Sequence, residues 1–160
     1  NMYMKVVSEA ILKFDGSLTQ LVGDMVMGVF NLPEAQSDHA NRAVRAAIEI
    51  QSSLRSFNET SGSRFPAAAF GIGISTGSVI SGYLGFQQRF RYAVVGDATN
   101  VAFHLSSLAA GGRILLSETT MAGIDKDLVN LAIEKGDLQL KRRRKAVKVF
   151  ELSPLAGITH

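Results

Sequence analysis

Ser17-Leu18-Thr19-Gln20-Leu21-Val22-Gly23-Asp24-Met25-Val26-Met27-Gly28-Val29-Phe30 is the stretch on which the fold turns. Two apolar runs, Ser17 to Val22 and Met25 to Phe30, are separated only by Gly23-Asp24. Gly-Asp between strand-like runs predicts a tight hairpin with a type I′ or II′ turn, whose positive φ a glycine adopts without steric penalty. Upstream, Met4, Val7, Ile11 and Phe14 recur at helical spacing while Lys5, Glu9 and Lys13 fall on the other side, so a helix is predicted over 2–14, stopped by Asp15-Gly16. Its start carries no cap signal, and the natural chain is expected to continue upstream of Asn1.

Downstream of the hairpin, Ala40, Ala43, Val44, Ala47, Ile48 and Leu54 share one face, with Arg42, Arg45, Glu49 and Arg55 away from it. This is an amphipathic helix, with Ser37 or Asp38 as its cap and residues 58–64 as a solvated turn after it. Ala67 to Ser75 reads as an apolar strand in which Gly71 and Gly73 permit close approach of another backbone or a ligand. Val79 to Leu84 and Arg89 to Val95 form a further strand pair, and Asp97 caps a short helix over 98–109 that Gly111-Gly112 ends. Arg113 to Leu116 is a strand and Glu118 to Gly123 a short helix. Val129 to Leu140 and Ala146 to Leu152 make a terminal hairpin with Lys141-Arg142-Arg143-Arg144-Lys145 at its tip. Helices alternating with antiparallel hairpins predict an α+β domain, a sheet covered on one face by helices, and argue against a doubly wound parallel sheet. No G-x-x-x-x-G-K-[ST] loop occurs, and Gly71, Gly73 and Gly77 lack the dinucleotide-binding spacing.

The chain of 160 residues has room for one domain, and at 46% hydrophobic and 19% charged it is expected to build a packed core. It contains no cysteine, which excludes a disulfide framework, a thiolate zinc site and a cysteine nucleophile, and suits a reducing, cytoplasmic compartment. No apolar run reaches the ~20 residues that span a bilayer. The net charge of +3 comes from the single basic run: without it the chain holds 12 basic and 14 acidic residues. A distributed basic face of the kind that grips duplex nucleic acid is therefore missing, and no specific nucleic-acid partner is expected.

Three segments together resemble the class III adenylyl/guanylyl cyclase catalytic domain: Gly16 through Phe30; Asp38-His39-Ala40-Asn41-Arg42-Ala43-Val44-Arg45-Ala46-Ala47; and Gly71 through Gly77 continuing across Gln88 to Ala102. The Ile114-to-Glu118 stretch and the basic hairpin fall where that family has them, so the resemblance covers nearly the whole chain. It implies a ferredoxin-like α+β core in one domain over 1–160, here without the family's first strand. The implied reaction is attack of the ribose 3′-oxygen on the α-phosphate of ATP or GTP, giving a 3′,5′-cyclic nucleotide and pyrophosphate. Two Mg²⁺ or Mn²⁺ ions on two aspartates would neutralise the charge that develops. Asp24 matches the second of those aspartates; the first lies on a strand upstream of the opening helix and has no match here. Taken alone, Gly23-Asp24 is an ordinary turn pair.

The same resemblance carries over further roles. Gln20 stands where the family has a base-reading lysine or glutamate, and its amide can both donate to and accept from a purine edge. Ala93 stands at the partner position and offers only backbone; an ordinary strand residue is the plainer reading for both. Asn100 matches the asparagine that orients the ribose. Four residues on, His104 replaces the arginine that stabilises the α-phosphate, and a partly buried helix residue without a role is the alternative reading. A histidine is shorter than arginine and mostly neutral near pH 7. Lys141 or Arg143 could reach the triphosphate, although Arg142 replaces the family's glycine between them; a solvated hairpin tip is the bland alternative. The family's sites form between subunits, which implies a homodimer or pairing with another cyclase domain, with a regulatory domain upstream and the full-length protein free to be membrane-attached. The competing function is a non-catalytic cyclase-like domain that dimerises or regulates, and a weaker one is a nucleic-acid-binding module using residues 141–145.

Overall fold

The first helix, α1 (Met2–Lys13), buries Val7, Ala10 and Ile11 and ends where Asp15 takes a φ of 63° and Gly16 donates its N–H to the Ile11 carbonyl at 2.9 Å. A Cβ at Gly16 would lie 2.7 Å from the Phe30 ring and 2.8 Å from Ile11, so glycine here lets both side chains pack against the turn. The computed structural model describes residues 2–22, 25–61, 70–86, 89–109, 111–141 and 143–152. Strands β1 (Ser17–Val22) and β2 (Met25–Val29) pair antiparallel as predicted, with Val22 opposite Met25 and a bulge between Leu18 and Gln20. The turn pair Gly23-Asp24 lies outside the described residues.

Helix α2 (His39–Ser61) runs through residues 58–61, where the sequence reads as a turn. The override is tertiary: Phe57 near the end of α2 packs edge-on against Tyr3 of α1 with ring centroids 5.3 Å apart. Strand β3 (Ile72–Ile74) is shorter than predicted within the described part, and 67–69 lie outside it. Strands β4 (Ile80–Phe86) and β5 (Arg89–Val95) form a second antiparallel hairpin. Then come α3 (Asp97–Leu108), β6 (Ile114–Ser117), α4 (Glu118–Met121), α5 (Lys126–Val129), β7 (Ala132–Leu138) and β8 (Val147–Leu152). The helical turn of α5 takes Val129 out of the strand predicted to begin there, because the Asp125 carbonyl accepts from Leu128 and Val129 and buries the Leu128 side chain.

The main sheet has the order β3-β6-β8-β7, with β3 and β6 parallel and the other pairs antiparallel. Helices cover both of its faces, not one. Ile114 and Leu116 of β6 pack with Val44 and Ala47 of α2, while Leu115 between them packs with Val101 and Leu105 of α3. All four residues of β6 are buried, which is how a strand buried on both faces presents as a continuous apolar run. The second face is reached through glycine: a Cβ on Gly73 would lie 2.4 Å from the Ala102 carbonyl oxygen, so only a bare Cα lets α3 lie this close to β3.

A hydroxyl cluster locks the end of β3 to the start of α4. Thr76 and Thr120 hydroxyls meet at 2.9 Å, Ser117 and Thr120 at 3.1 Å, and Thr119 donates to the Thr76 carbonyl at 2.7 Å. At the other end of the domain, Arg42 donates to Asp38 at 2.7 Å and to Asp15 at 2.8 Å, tying the start of α2 to the turn after α1.

Candidate functional site

Helix α3 divides its residues by face. Ala98, Val101 and Leu105 are buried, whereas Asp97, Asn100 and His104 are exposed at spacings of three and four, one above the other on a single stripe. The partly buried alternative for His104 therefore does not hold; its ring stands edge-on to exposed Phe103, with centroids 5.9 Å apart. The stripe begins at a fixed point. Gly96, the N-cap, has a φ of 158°, and a Cβ there would lie 2.9 Å from the Ser78 carbonyl oxygen. Asp97 is thus not the cap that the sequence suggests. It sits in the first turn and adds a negative charge where the helix dipole favours one.

The Asp97 carboxylate instead meets Arg143 from the β7–β8 loop, Oδ2 to Nη1 at 3.3 Å. That loop is not a free solvated tip. Leu140 is buried among Val101 and Leu105 of α3 and Val147 and Val149 of β8. Gln139 donates its side-chain amide to the Arg143 carbonyl at 2.8 Å, and Arg143 donates its N–H to the Leu140 carbonyl at 3.3 Å. The loop is docked on α3 by an apolar anchor and an ion pair, which brings Arg143 to the helix that bears Asn100 and His104. Lys141, next to the anchor, is exposed, and Arg142 lies outside the described residues.

Gln20 lies on β1 just after the bulge, opposite Met27 on β2; its side chain lies outside the described part. Ala93 sits on β5 opposite Gly82 and is buried at 5% exposure, so its methyl group is covered within this one chain. Strand β1 comes alongside β5, which makes the Gln20 and Ala93 strands neighbours.

Asp24 lies outside the described residues, as noted for its turn. Among the described residues no group of three or more His, Asp or Glu side chains converges to hold a metal ion. The carboxylate on the site helix, Asp97, is engaged by Arg143. The described donor set thus does not by itself fit a two-ion centre.

Sequence reasoning missed the Asp97–Arg143 pair and the Leu140 anchor. The pair joins residues far apart in the chain, and the one available signal was an aspartate in a first helical turn, which capping explains equally well. Leu140, an apolar residue directly before a basic run, was the readable sign that the loop docks rather than floats.

Comparison with known proteins agrees over nearly the whole length. Residues 3–153 match the sequence profile described as the adenylate and guanylate cyclase catalytic domain. Adenylate cyclase 1 of Rhizobium meliloti (strain 1021) is 30% identical over 152 residues, covering 94% of this chain and 23% of that protein. Among solved structures, the guanylyl cyclase Cya2 superposes with a TM-score of 0.84 at 30% identity, covering 95% of this chain and 77% of that one. The adenylyl cyclase CyaB from P. aeruginosa superposes with a TM-score of 0.85 at 25% identity, covering 96% of this chain and 79% of that one. One structural relative is thus a guanylyl and the other an adenylyl cyclase, so the likeness does not choose a base. The chain spans about a quarter of the length of the curated relative.

Proposed function

The chain belongs to the adenylate and guanylate cyclase catalytic domain family, and from that membership we propose that it supplies nucleoside-triphosphate-binding and transition-state groups to a 3′,5′-cyclase site completed across a dimer. The observation that carries this reading is the docking of the basic loop onto the Asn100–His104 helix through Leu140 and the Asp97–Arg143 pair. In the reaction, the ribose 3′-oxygen bonds to the α-phosphorus, the bond from that phosphorus to the bridging oxygen of the β-phosphate breaks, pyrophosphate leaves, and the 3′-hydroxyl proton passes to solvent water. Asn100, on the exposed stripe, hydrogen-bonds the ribose. His104 faces the α-phosphate from one turn further on. Lys141 and Arg143 place positive charge on the triphosphate, and Asp97 holds the Arg143 guanidinium toward α3. Gln20 reads the purine edge, with Ala93 giving nothing beyond backbone. Asp24 is the carboxylate the chain offers to Mg²⁺ or Mn²⁺, an ion that would neutralise triphosphate charge when bound.

The dimer reading draws support from the β4–β5 ribbon. Ile80 is 75% exposed and Val95, its cross-strand partner, 52%; exposed Phe103 on α3 adds to the same apolar character. Apolar side chains this exposed suit a partner surface.

A second reading, a non-catalytic domain that dimerises or regulates, is favoured by His104 standing where the family has arginine. Loss of an oxyanion-type donor typically lowers turnover about 10²–10³-fold. The deciding assay incubates the 160-residue chain with Mn²⁺ and ATP or GTP and follows cyclic product. Turnover far below that of family enzymes is expected, recovering in part in His104→Arg and abolished in Asn100→Ala. Turnover unaffected by Asn100→Ala and Asp24→Ala would overturn the placement of the site; silence that persists in His104→Arg with Ala93→Asp after the residues encoded upstream of Asn1 are added back would favour the regulatory reading.

A further inference from the structure

The exposed stripe of α3 ends in a side chain whose charge depends on pH near neutrality. His104 follows Asp97 and Asn100 on that stripe and stands open to solvent. Histidine ordinarily changes its charge between pH 5 and pH 8, whereas lysine and arginine side chains stay charged throughout that range.

The groups around His104 leave its charge to be set by a ligand. The carboxylate on the stripe, Asp97, is already matched by Arg143, Oδ2 to Nη1 at 3.3 Å. The ring of Phe103, edge-on to the imidazole, neither gives nor takes a proton. Of the strands packed against α3, β3 and β6 hold no ionisable side chain. On β8, Lys148 is paired with Glu118 and Glu134, and Glu151 with Arg113. Strand β5 holds Arg89 and Arg91, whose side chains lie outside the described part. The β7–β8 loop is anchored by Leu140 in the cluster that includes Val101 and Leu105, and it brings Lys141 and Arg143, with Arg144 and Lys145 beyond them. His39 lines the same cavity as Asn100 and Phe103. The described charges facing this turn of α3 are thus cations and one matched carboxylate. Polyphosphate, not a fixed group of the chain, is the counter-charge that suits an imidazolium here.

Resting on the reading of the site given above, we propose that His104 makes triphosphate binding proton-linked: as the triphosphate seats, the imidazole takes up a proton from solvent. The proton goes to the ring nitrogen that lacks one, and no bond to phosphorus forms or breaks. The sign follows from linkage. The complex holds more protons than its separated parts, so affinity rises as pH falls through the histidine range and levels off once the free chain is charged as well. A guanidinium at the same position would bind without this dependence. The site is therefore graded by pH.

Calorimetric titration with the α,β-methylene analogues of ATP and GTP and Mg²⁺ tests this on the 160-residue chain, His104→Arg and His104→Gln. The terminal phosphate of the analogue titrates in the same range for all three proteins, so each variant supplies the reference slope. Relative to His104→Arg, the wild-type chain should gain on the order of 10-fold in affinity between about pH 8 and about pH 6. Near neutrality it should also take up more protons per bound analogue, read from titrations in buffers of different ionisation enthalpy. His104→Gln should show neither effect, and because His104 is exposed both variants should keep the wild-type circular dichroism. Equal slopes in all three proteins would overturn the proposal; if Arg143→Ala still weakens that binding, the cyclase reading stands without it. A slope kept in His104→Gln and lost in His39→Gln would overturn it as well. Absence of binding at every pH, in His104→Arg as in wild type, would overturn both this proposal and the reading of the site beneath it.

Discussion

Thr120 has 0% exposure, and its hydroxyl meets those of Thr76 and Ser117 at 2.9 and 3.1 Å. Thr120→Val keeps the shape and removes the hydroxyl that Thr76 and Ser117 share, so that half-buried Thr76 loses this partner while Ser117 keeps the Thr119 hydroxyl at 2.8 Å. The expected loss is about 1–3 kcal/mol in urea unfolding, with Thr119→Val, at an exposed position, losing less. A different single-residue effect is set by Arg42, whose hydrogen bond holds the Asp38 carboxyl below its ordinary value of 3.8. The folded value is the lower one, so the carboxylate's contribution is present above the unfolded value and is lost as pH falls through the folded one. Asp38 is exposed and Arg42 only half-buried, so the effect is small in size but definite in sign: between about pH 5 and pH 3 the wild-type chain should lose more stability than Asp38→Asn. Equal slopes in urea titrations across that range would contradict it. The pair itself was invisible beforehand; Ser37 and Asp38 drew attention only as caps.

At the scale of elements, the site depends on how the β7–β8 loop sits on α3. Leu140 is buried in the cluster formed by α3 and β8, and Leu140→Ala is expected to destabilise the domain by on the order of 2–5 kcal/mol, measured by chemical denaturation. The same variant should weaken nucleoside-triphosphate binding more than Lys145→Ala does, because it unseats both Lys141 and Arg143, whereas Lys145 is an exposed residue beyond the docked part. Calorimetric titration with a non-hydrolysable triphosphate separates the two. The elements themselves were largely legible in the sequence. Two hairpins and the helices α1 and α3 follow from periodicity and turn residues that act within a few positions. The last turns of α2 and the short α5 did not, since Phe57 is held by Tyr3 and Leu128 by the core, contacts no local pattern encodes.

The whole molecule presents apolar side chains on its β4–β5 ribbon and on α3, and self-association is the expected consequence. Sedimentation at tens of micromolar, an order-of-magnitude choice above the range of weak dissociation constants, should show a dimer that Ile80→Glu with Val95→Glu shifts to monomer. A strictly monomeric wild-type chain over that range would count against a site shared between subunits. Both substitutions lie at exposed cross-strand partners, so loss of the dimer should leave the fold intact.

Turn chemistry and apolar spacing in the sequence alone determined the α+β class and the order of hairpins and helices, and the motif resemblance determined the family. Those signals are local or linear, and each can be read without knowing what lies across the core. Three things were decided only in the tertiary structure. The sheet is covered on both faces, because Gly71 and Gly73 let α3 lie on the side opposite α2. The loop that carries the basic run is anchored on α3 while Lys141, Arg144 and Lys145 stay exposed, because Leu140 finds Val101 and Leu105 and Arg143 finds Asp97. Residues of β2 and β3, which among the described strands pair only with β1 and β6, line one cavity. Each depends on pairing residues tens of positions apart, and burial and hydrogen bonding choose such partners only once the chain has closed on itself.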